Sequence, residues 1–133
     1  MIELLHADSL EVSLTVNQIE NSAAWYCNAL GFIEDRRHER DGRLVAVSLR
    51  AGAVRILLTK DDGNKGTDRV KGDGFSIQIT TSQSAYEIAA RIKAYGCLLD
   101  SEPALMPWGV TAFRIRDLDG FRLTISSTHV VSH

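Results

Sequence analysis

The side chains able to do chemistry in this 133-residue chain are few and scattered. One carboxylate, Glu11, stands in the run Glu11-Val12-Ser13-Leu14-Thr15-Val16, where polar and apolar residues alternate. A second alternating run sets Ser76, Gln78 and Thr80 against Phe75, Ile77 and Ile79. Toward the C-terminus come Trp108 in a Pro107-Trp108-Gly109 loop, then Arg114 and Arg116, then Arg122 and Thr124. Guanidinium, carboxylate, amide and hydroxyl groups of this kind hold polar molecules through charge-assisted hydrogen bonds. A large aromatic residue on a loop can stack on the same ligand. Metal chemistry asks for more, because a catalytic divalent ion needs about three N, O or S ligands from the protein. The histidines do not supply them. His6 precedes the first expected strand, His38 lies in the Arg36-Arg37-His38-Glu39-Arg40 hairpin arm, and His129 and His133 fall in the tail, so none shares an expected inward face with Glu11. Asp117 and Asp119 read as holders of a tight turn, accepting local backbone N–H bonds. Cys27 and Cys97 read as free thiols.

An internal repeat positions these groups. Val16 and Ile79 are 63 residues apart, Gly31 and Gly96 are 65 apart, and Gly52 and Gly120 are 68 apart. A nearly constant offset over three landmarks marks two copies of one unit. Each copy opens with the alternating run, whose period of two is that of a strand. A helix follows in each. Ile19, Ala23, Tyr26 and Leu30 trace one apolar stripe, and Ala85, Ile88, Ile92 and Tyr95 another. Asn17 to Glu20 resembles a capping box and Ser84 to Glu87 fits one, while Gly31 and Gly96 sit where helices close in the left-handed conformation. Three strands then follow per copy, at about 32–39, 43–50 and 53–60, and at about 97–101, 110–116 and 121–127, with Asp41-Gly42, Ala51-Gly52 and Asp119-Gly120 as turns. The polar stretch 61–73 reads as a linker. The expectation is one α+β domain over 1–133, built from two βαβββ modules at about 10–60 and 74–127. The two modules form a curled mixed sheet around a cleft. Val12, Leu14, Ile77, Ile79, Leu123 and Ile125 should lie beneath the helices, with Tyr26 and Ile92 packed on them.

Composition narrows the partners. Fifteen Lys and Arg stand against 17 Asp and Glu, for a net charge of −2, and the isoelectric point is about 6.1. That balance lacks the basic footprint of a nucleic-acid-binding surface. The apolar runs are only a few residues long, far short of a membrane span. No charged-then-apolar leader opens the sequence, so a cytoplasmic location is expected.

Several of these stretches are similar to those of the vicinal-oxygen-chelate superfamily, which includes glyoxalase I, bleomycin-resistance proteins and extradiol dioxygenases. The resemblance covers about residues 10–126. It rests on Val16 through Ser22-Ala23-Ala24-Trp25-Tyr26, on Leu30-Gly31-Phe32, on Pro107-Trp108-Gly109 and on Asp117-Leu118-Asp119-Gly120. The chain departs from the common pattern at Gln18, where an aspartate is usual, and at Leu118, where a proline is. In the metalloenzymes of the family, His or Glu ligands come from the first and last strands of each unit. The corresponding positions here are Glu11, Gly74, Thr124 and Leu57, so one of four carries a usable ligand, and the comparison implies no catalytic residue and no metal or other cofactor. The resemblance implies a small-molecule-binding protein with a metal-free cleft that sequesters a polar ligand, as in antibiotic resistance. Its ligand would meet Glu11, Ser13, Gln78, Trp108, Arg114, Arg122 and Thr124. The alternative it implies is a metal-dependent lyase or dioxygenase of the glyoxalase type with Glu11 as surviving base or ligand. It also implies a homodimer, with Met1–Ser9 as an arm that could be exchanged between chains.

Overall fold

A computed structural model describes residues 4–63 and 71–129. Its strands follow from the period-two runs. The first half contains β1 (Glu11–Val16), β2 (Ile33–Arg40), β3 (Arg43–Ala51) and β4 (Val54–Lys60). The second contains β5 (Ser76–Thr81), β6 (Ser101–Leu105), β7 (Thr111–Arg116) and β8 (Arg122–Ser127). Each half folds into a four-stranded mixed sheet, ordered β1-β4-β3-β2 and β5-β8-β7-β6. In both, the opening strand pairs in parallel with the closing strand and the remaining pairs are antiparallel. The sheets remain two, and neither closes into a barrel.

Helix α1 (Ile19–Trp25) continues into a π-helical turn over Tyr26–Leu30 and stops at Gly31, whose φ of +86° is left-handed. A side chain at Gly31 would be strained there and would press on the Arg91 guanidinium, 3.2 Å from the added carbon. Helix α2 (Ala85–Ala94) begins at Ser84, whose hydroxyl accepts the Glu87 N–H. The capping box expected at Asn17 does not form. The cap position belongs to Gln18, which makes no side-chain cap bond, because Asn17 is recruited elsewhere: its N–H bonds Asp119 and its side-chain oxygen accepts from Lys71.

The inward faces of both sheets and both helices meet in one apolar cluster. Leu14, Val16, Tyr26, Val47, Leu58, Ile92, Phe113 and Leu123 are each at most 1% exposed. Leu14, Ile77, Leu123 and Ile125 are buried as expected. Val12 and Ile79 are only partly buried, Val12 near the strand's start and Ile79 on the wall of a cavity between the halves. Strand β6 starts at 101 rather than 97, because Cys97 N–H still bonds the Ile92 carbonyl at the helix exit. Its pairing with β7 slips between Ser101 and Ala104, around Pro103, which has no N–H to give to a ladder. The middle of the expected linker, 64–70, lies outside the described residues, as do 1–3 of the expected arm and His133. Residues 4–10 form no strand or helix. No helix among the described residues is long and apolar enough to cross a membrane.

Candidate functional site

The side of each sheet turned away from the helices carries the polar series. On the second sheet, cross-strand register lines up Gln78, Thr124 and Arg114 in one row and Ser76, Arg122 and Arg116 in the next. Residues in register share a face, so these six side chains form one polar patch. Gln78 Nε2 donates to Ser76 Oγ at 3.2 Å and to Thr124 Oγ1 at 3.4 Å. Arg116 Nε donates to Asp100 at 2.8 Å. The guanidiniums of Arg114 and Arg122 have no ion-pair or hydrogen-bond partner among the described residues, and the two residues line a cavity of about 270 Å3 with Ser76, Gln78, Asp100 and Thr124. The local charge is therefore cationic, with two guanidiniums left free to bind an anion or carbonyl group.

The first sheet holds the rest. Glu11 is exposed on β1, beside Arg55 of β4 in register, and makes no ion pair or hydrogen bond among the described residues. Ser13, two residues on, lines a separate cavity of about 340 Å3 with Lys71, Asp73, Phe75 and Phe121. Four of the seven residues singled out in the sequence thus converge on one cavity. Glu11 and Ser13 stand on the other sheet. Trp108 stands apart, 72% exposed on a turn closed by Gly109 N–H to Met106 O at 2.9 Å.

The strand ladders correct one register. Strands β1 and β5 each pair from their first residue, Glu11 with Arg55 and Ser76 with Arg122. The repeat partner of Glu11 is therefore Ser76, not Gly74. Matching Val16 to Ile79 misled by two residues, because β5 runs on to Thr81, which pairs with Ser127 where an apolar residue would have marked the end. Leu57 faces Ser13 just as Thr124 faces Gln78. The positions that the resemblance assigns to metal ligands become Glu11, Leu57, Ser76 and Thr124, and they offer one carboxylate, two hydroxyls and a hydrocarbon. That donor set does not fit a catalytic divalent ion. The histidine expectation also needs a correction. His38 does share the outward face with Glu11, through the row His38, Ala46, Thr59 and Thr15. It sits in the row of Thr15 rather than of Glu11, three strand spacings or roughly 14 Å from β1, and its Nε2 meets Ser48 Oγ at 3.4 Å. Among the described residues, no group of three or more His, Cys, Asp or Glu side chains converges as a metal site.

Asp117 and Asp119 do more than hold a turn. Asp117 Oδ1 accepts the N–H groups of Asp119 and Phe121, at 3.0 and 2.9 Å, while its Oδ2 takes the Tyr26 hydroxyl at 2.6 Å. Asp119 accepts the Asn17 N–H at 2.9 Å and the Ser22 hydroxyl at 3.3 Å. The Lys71 ammonium, 7% exposed, bridges Asp119 to Asp61 and also donates to the Thr15 carbonyl. Burial pushes the Asp117 carboxyl up from its usual value, against the pull of the bonds from Tyr26, Phe121 and Asp119. Burial and the adjacent carboxylate likewise hold the Tyr26 phenol well above its ordinary range, so it stays a donor. These acids bolt the second half to α1, and Tyr26 belongs to the core, edge-on to Trp25 and Phe32. The Trp25 indole donates to Cys97 Sγ at 3.2 Å, a further tie between the halves.

Comparisons agree with this architecture. The family model described as Glyoxalase/Bleomycin resistance protein/Dioxygenase superfamily matches residues 6–125. Among solved structures, TioX from Micromonospora sp. ML1 is 18% identical with a TM-score of 0.75, covering 93% of this chain and 100% of its own. A superfamily member from Sphaerobacter thermophilus DSM 20745 is 22% identical with a TM-score of 0.73, covering 93% and 99%. A lactoylglutathione lyase from Agrobacterium tumefaciens is 16% identical with a TM-score of 0.70, covering 93% and 96%. At these identities the likeness is one of fold. No curated protein matches the sequence.

Proposed function

The chain belongs to the glyoxalase/bleomycin resistance protein/dioxygenase superfamily, and from that premise we propose that it sequesters a polar small molecule in a metal-free cleft without altering it. One observation carries this reading. The positions that would hold a metal present Leu57, Ser76 and Thr124 beside a single carboxylate, while Gln78, Arg114 and Arg122 surround the cavity with hydrogen-bonding groups. Such a lining recognises a ligand and supplies no Lewis acid. A cavity of about 270 Å3 is just below the roughly 300–1,000 Å3 of small-molecule sites. A second wall from another copy would complete it, and the exposed Leu4, Leu5 and Leu10 of the N-terminal stretch give such a homodimer apolar surface to bury. Glu11, which stands on the other sheet of its own chain, then reaches the cavity from the second copy and complements a cationic group of the ligand, while Arg114 and Arg122 take an anionic one.

Thermal-shift screening of polar antibiotics, with bleomycin as the first probe, tests the reading. A ligand at 100 times its Kd should add about 2.7 kcal/mol of stability. Once a ligand is in hand, Glu11→Gln should leave folding nearly intact and weaken binding about tenfold or more, since charge-assisted bonds contribute about 1.5–3 kcal/mol. An unchanged affinity would remove Glu11 from the cleft. Elemental analysis of the purified protein separates sequestration from catalysis. The expected result is well under one equivalent of zinc, nickel, manganese or iron per chain. Near-stoichiometric metal, or turnover of the methylglyoxal–glutathione hemithioacetal on adding nickel, would establish the lyase reading instead.

A further inference from the structure

The two halves meet at two repeat-related junctions, and the two are built differently. At the first, the end of β1 meets the β7–β8 turn. Asp117 and Asp119 project from that turn into Tyr26, Ser22 and Asn17 and seal the contact with buried hydrogen bonds. At the second, the end of β5 meets the β3–β4 turn. That turn is Ala51-Gly52-Ala53 and has no side chain long or polar enough to reach across. A cavity of about 580 Å3 is left open there, the largest described between the halves. Its size falls within the roughly 300–1,000 Å3 of small-molecule sites. Phe32, Val54, Ile79, Ile88 and Ile125 give it apolar walls, and no Asp or Glu among the described residues lines it.

One charged group among the described residues lines this cavity, the guanidinium of Arg91 on α2. Its Nη2 donates to the Leu30 carbonyl at 3.1 Å, which fixes the side chain across the mouth. Arg91 makes no ion pair among the described residues. Glu87, one turn earlier on the same helix, faces a neighbouring depression with Arg91 but stays beyond ion-pair distance. A guanidinium carries five N–H donors in a planar fork, so most of the fork is free. A tethered cation at the mouth of an apolar chamber complements a carboxylate attached to a hydrocarbon body.

We infer that the junction cavity is a second binding site, for a small amphipathic carboxylate. Its acid group sits on Arg91 and its apolar body lies against Ile79, Ile88 and Ile125. The site is separate from the polar sheet face, and neither depends on the other for its lining.

The test is a titration of the full chain, isoleucine methyl-labelled, with octanoate and with its neutral analogue octanamide, followed by NMR. Octanoate should shift the methyls of Ile79, Ile88 and Ile125 along a saturating curve and leave the buried Ile115 unmoved. Octanamide should bind at least about tenfold more weakly. Arg91→Gln should weaken octanoate by at least about tenfold while changing octanamide less than about twofold, with the methyl spectrum of the free protein otherwise retained. Ala53→Phe, which fills the chamber from the turn and leaves Arg91 in place, should abolish the shifts with both probes. Equal binding of the two probes, shifts confined to the polar face, or no saturation below about 10 mM would overturn the proposal. So would concentration-dependent broadening of the same three methyls that octanoate does not relieve, which would assign the chamber to a second copy of the chain.

Discussion

Asp117→Ala is expected to destabilise the fold by about 3 kcal/mol, far more than an ordinary turn substitution. Three donors converge on this carboxylate, the Tyr26 hydroxyl and the N–H groups of Asp119 and Phe121. Each buried donor left without a partner costs about 1–3 kcal/mol. Water reaches the turn's N–H groups after truncation and offsets part of the loss, but the Tyr26 ring is fully buried and its hydroxyl has no alternative. Asp117→Asn should recover the part of the stability that belongs to the two backbone donors, while the Tyr26 hydroxyl proton stays without an acceptor. Its amide oxygen can accept the two backbone bonds, and its amide nitrogen can donate to the phenol oxygen. Equilibrium denaturation in urea measures both, with the m-value checking that the same surface is exposed.

The same pair of variants isolates a pH effect. The folded protein raises the Asp117 pKa chiefly by burying it. A proton therefore binds the native state more tightly than the unfolded one. The linked stability is present in full below the unfolded pKa and is lost as pH rises through the folded pKa. Relative to Asp117→Asn, the parent should gain stability on acidification between those two values. A difference that is flat with pH, or of opposite sign, would show that the hydrogen bonds to the carboxylate outweigh its burial.

Leu14→Ala should cost about 2–5 kcal/mol, as for a large-to-small change in a packed core. Leu14 is 1% exposed, and the register pairs it with Leu58, itself fully buried. Both lie in the cluster that α1 covers. A neighbouring strand cannot relax into the space without breaking its ladder, which argues for the upper half of that range. Ile77→Ala, at the other copy's equivalent edge strand, should fall lower because Ile77 is 7% exposed. A loss below about 1 kcal/mol at both positions would mean that the apolar face had been assigned to the wrong side of these strands.

Much of the candidate site was legible because a period of two reports which side of a strand is buried. Glu11, Ser13, Gln78, Arg114, Arg122 and Thr124 all alternate with core residues, and all lie on faces turned from the helices. The same signal could not say which of them share a cavity, since Glu11 and Arg122 belong to different sheets. Trp108 had no alternating neighbours to orient it, and its loop holds the ring out into solvent. Arg91 escaped notice because it reads as an ordinary charged residue near a helix end. Its significance arises from the Leu30 carbonyl, 61 residues away.

Residue order alone determined the repeat, the strands and helices, the faces that bury Leu14, Ile77, Leu123 and Ile125, and the poverty of metal donors. These are local properties, because burial on one side of a strand or helix forces a regular spacing on the residues that line it. Tertiary structure alone decided the register that makes Ser76 the partner of Glu11, the reach of Asp117 and Asp119 into α1, and the bridging of Asp61 and Asp119 by Lys71. It also decided that one junction closes while the other stays open. The reach of Asp117 and Asp119 and the contact of Lys71 with Asp119 depend on groups 48 to 102 residues apart meeting within hydrogen-bond distance. Such a meeting is set by how the two packed halves dock, for which no periodicity in the chain is required.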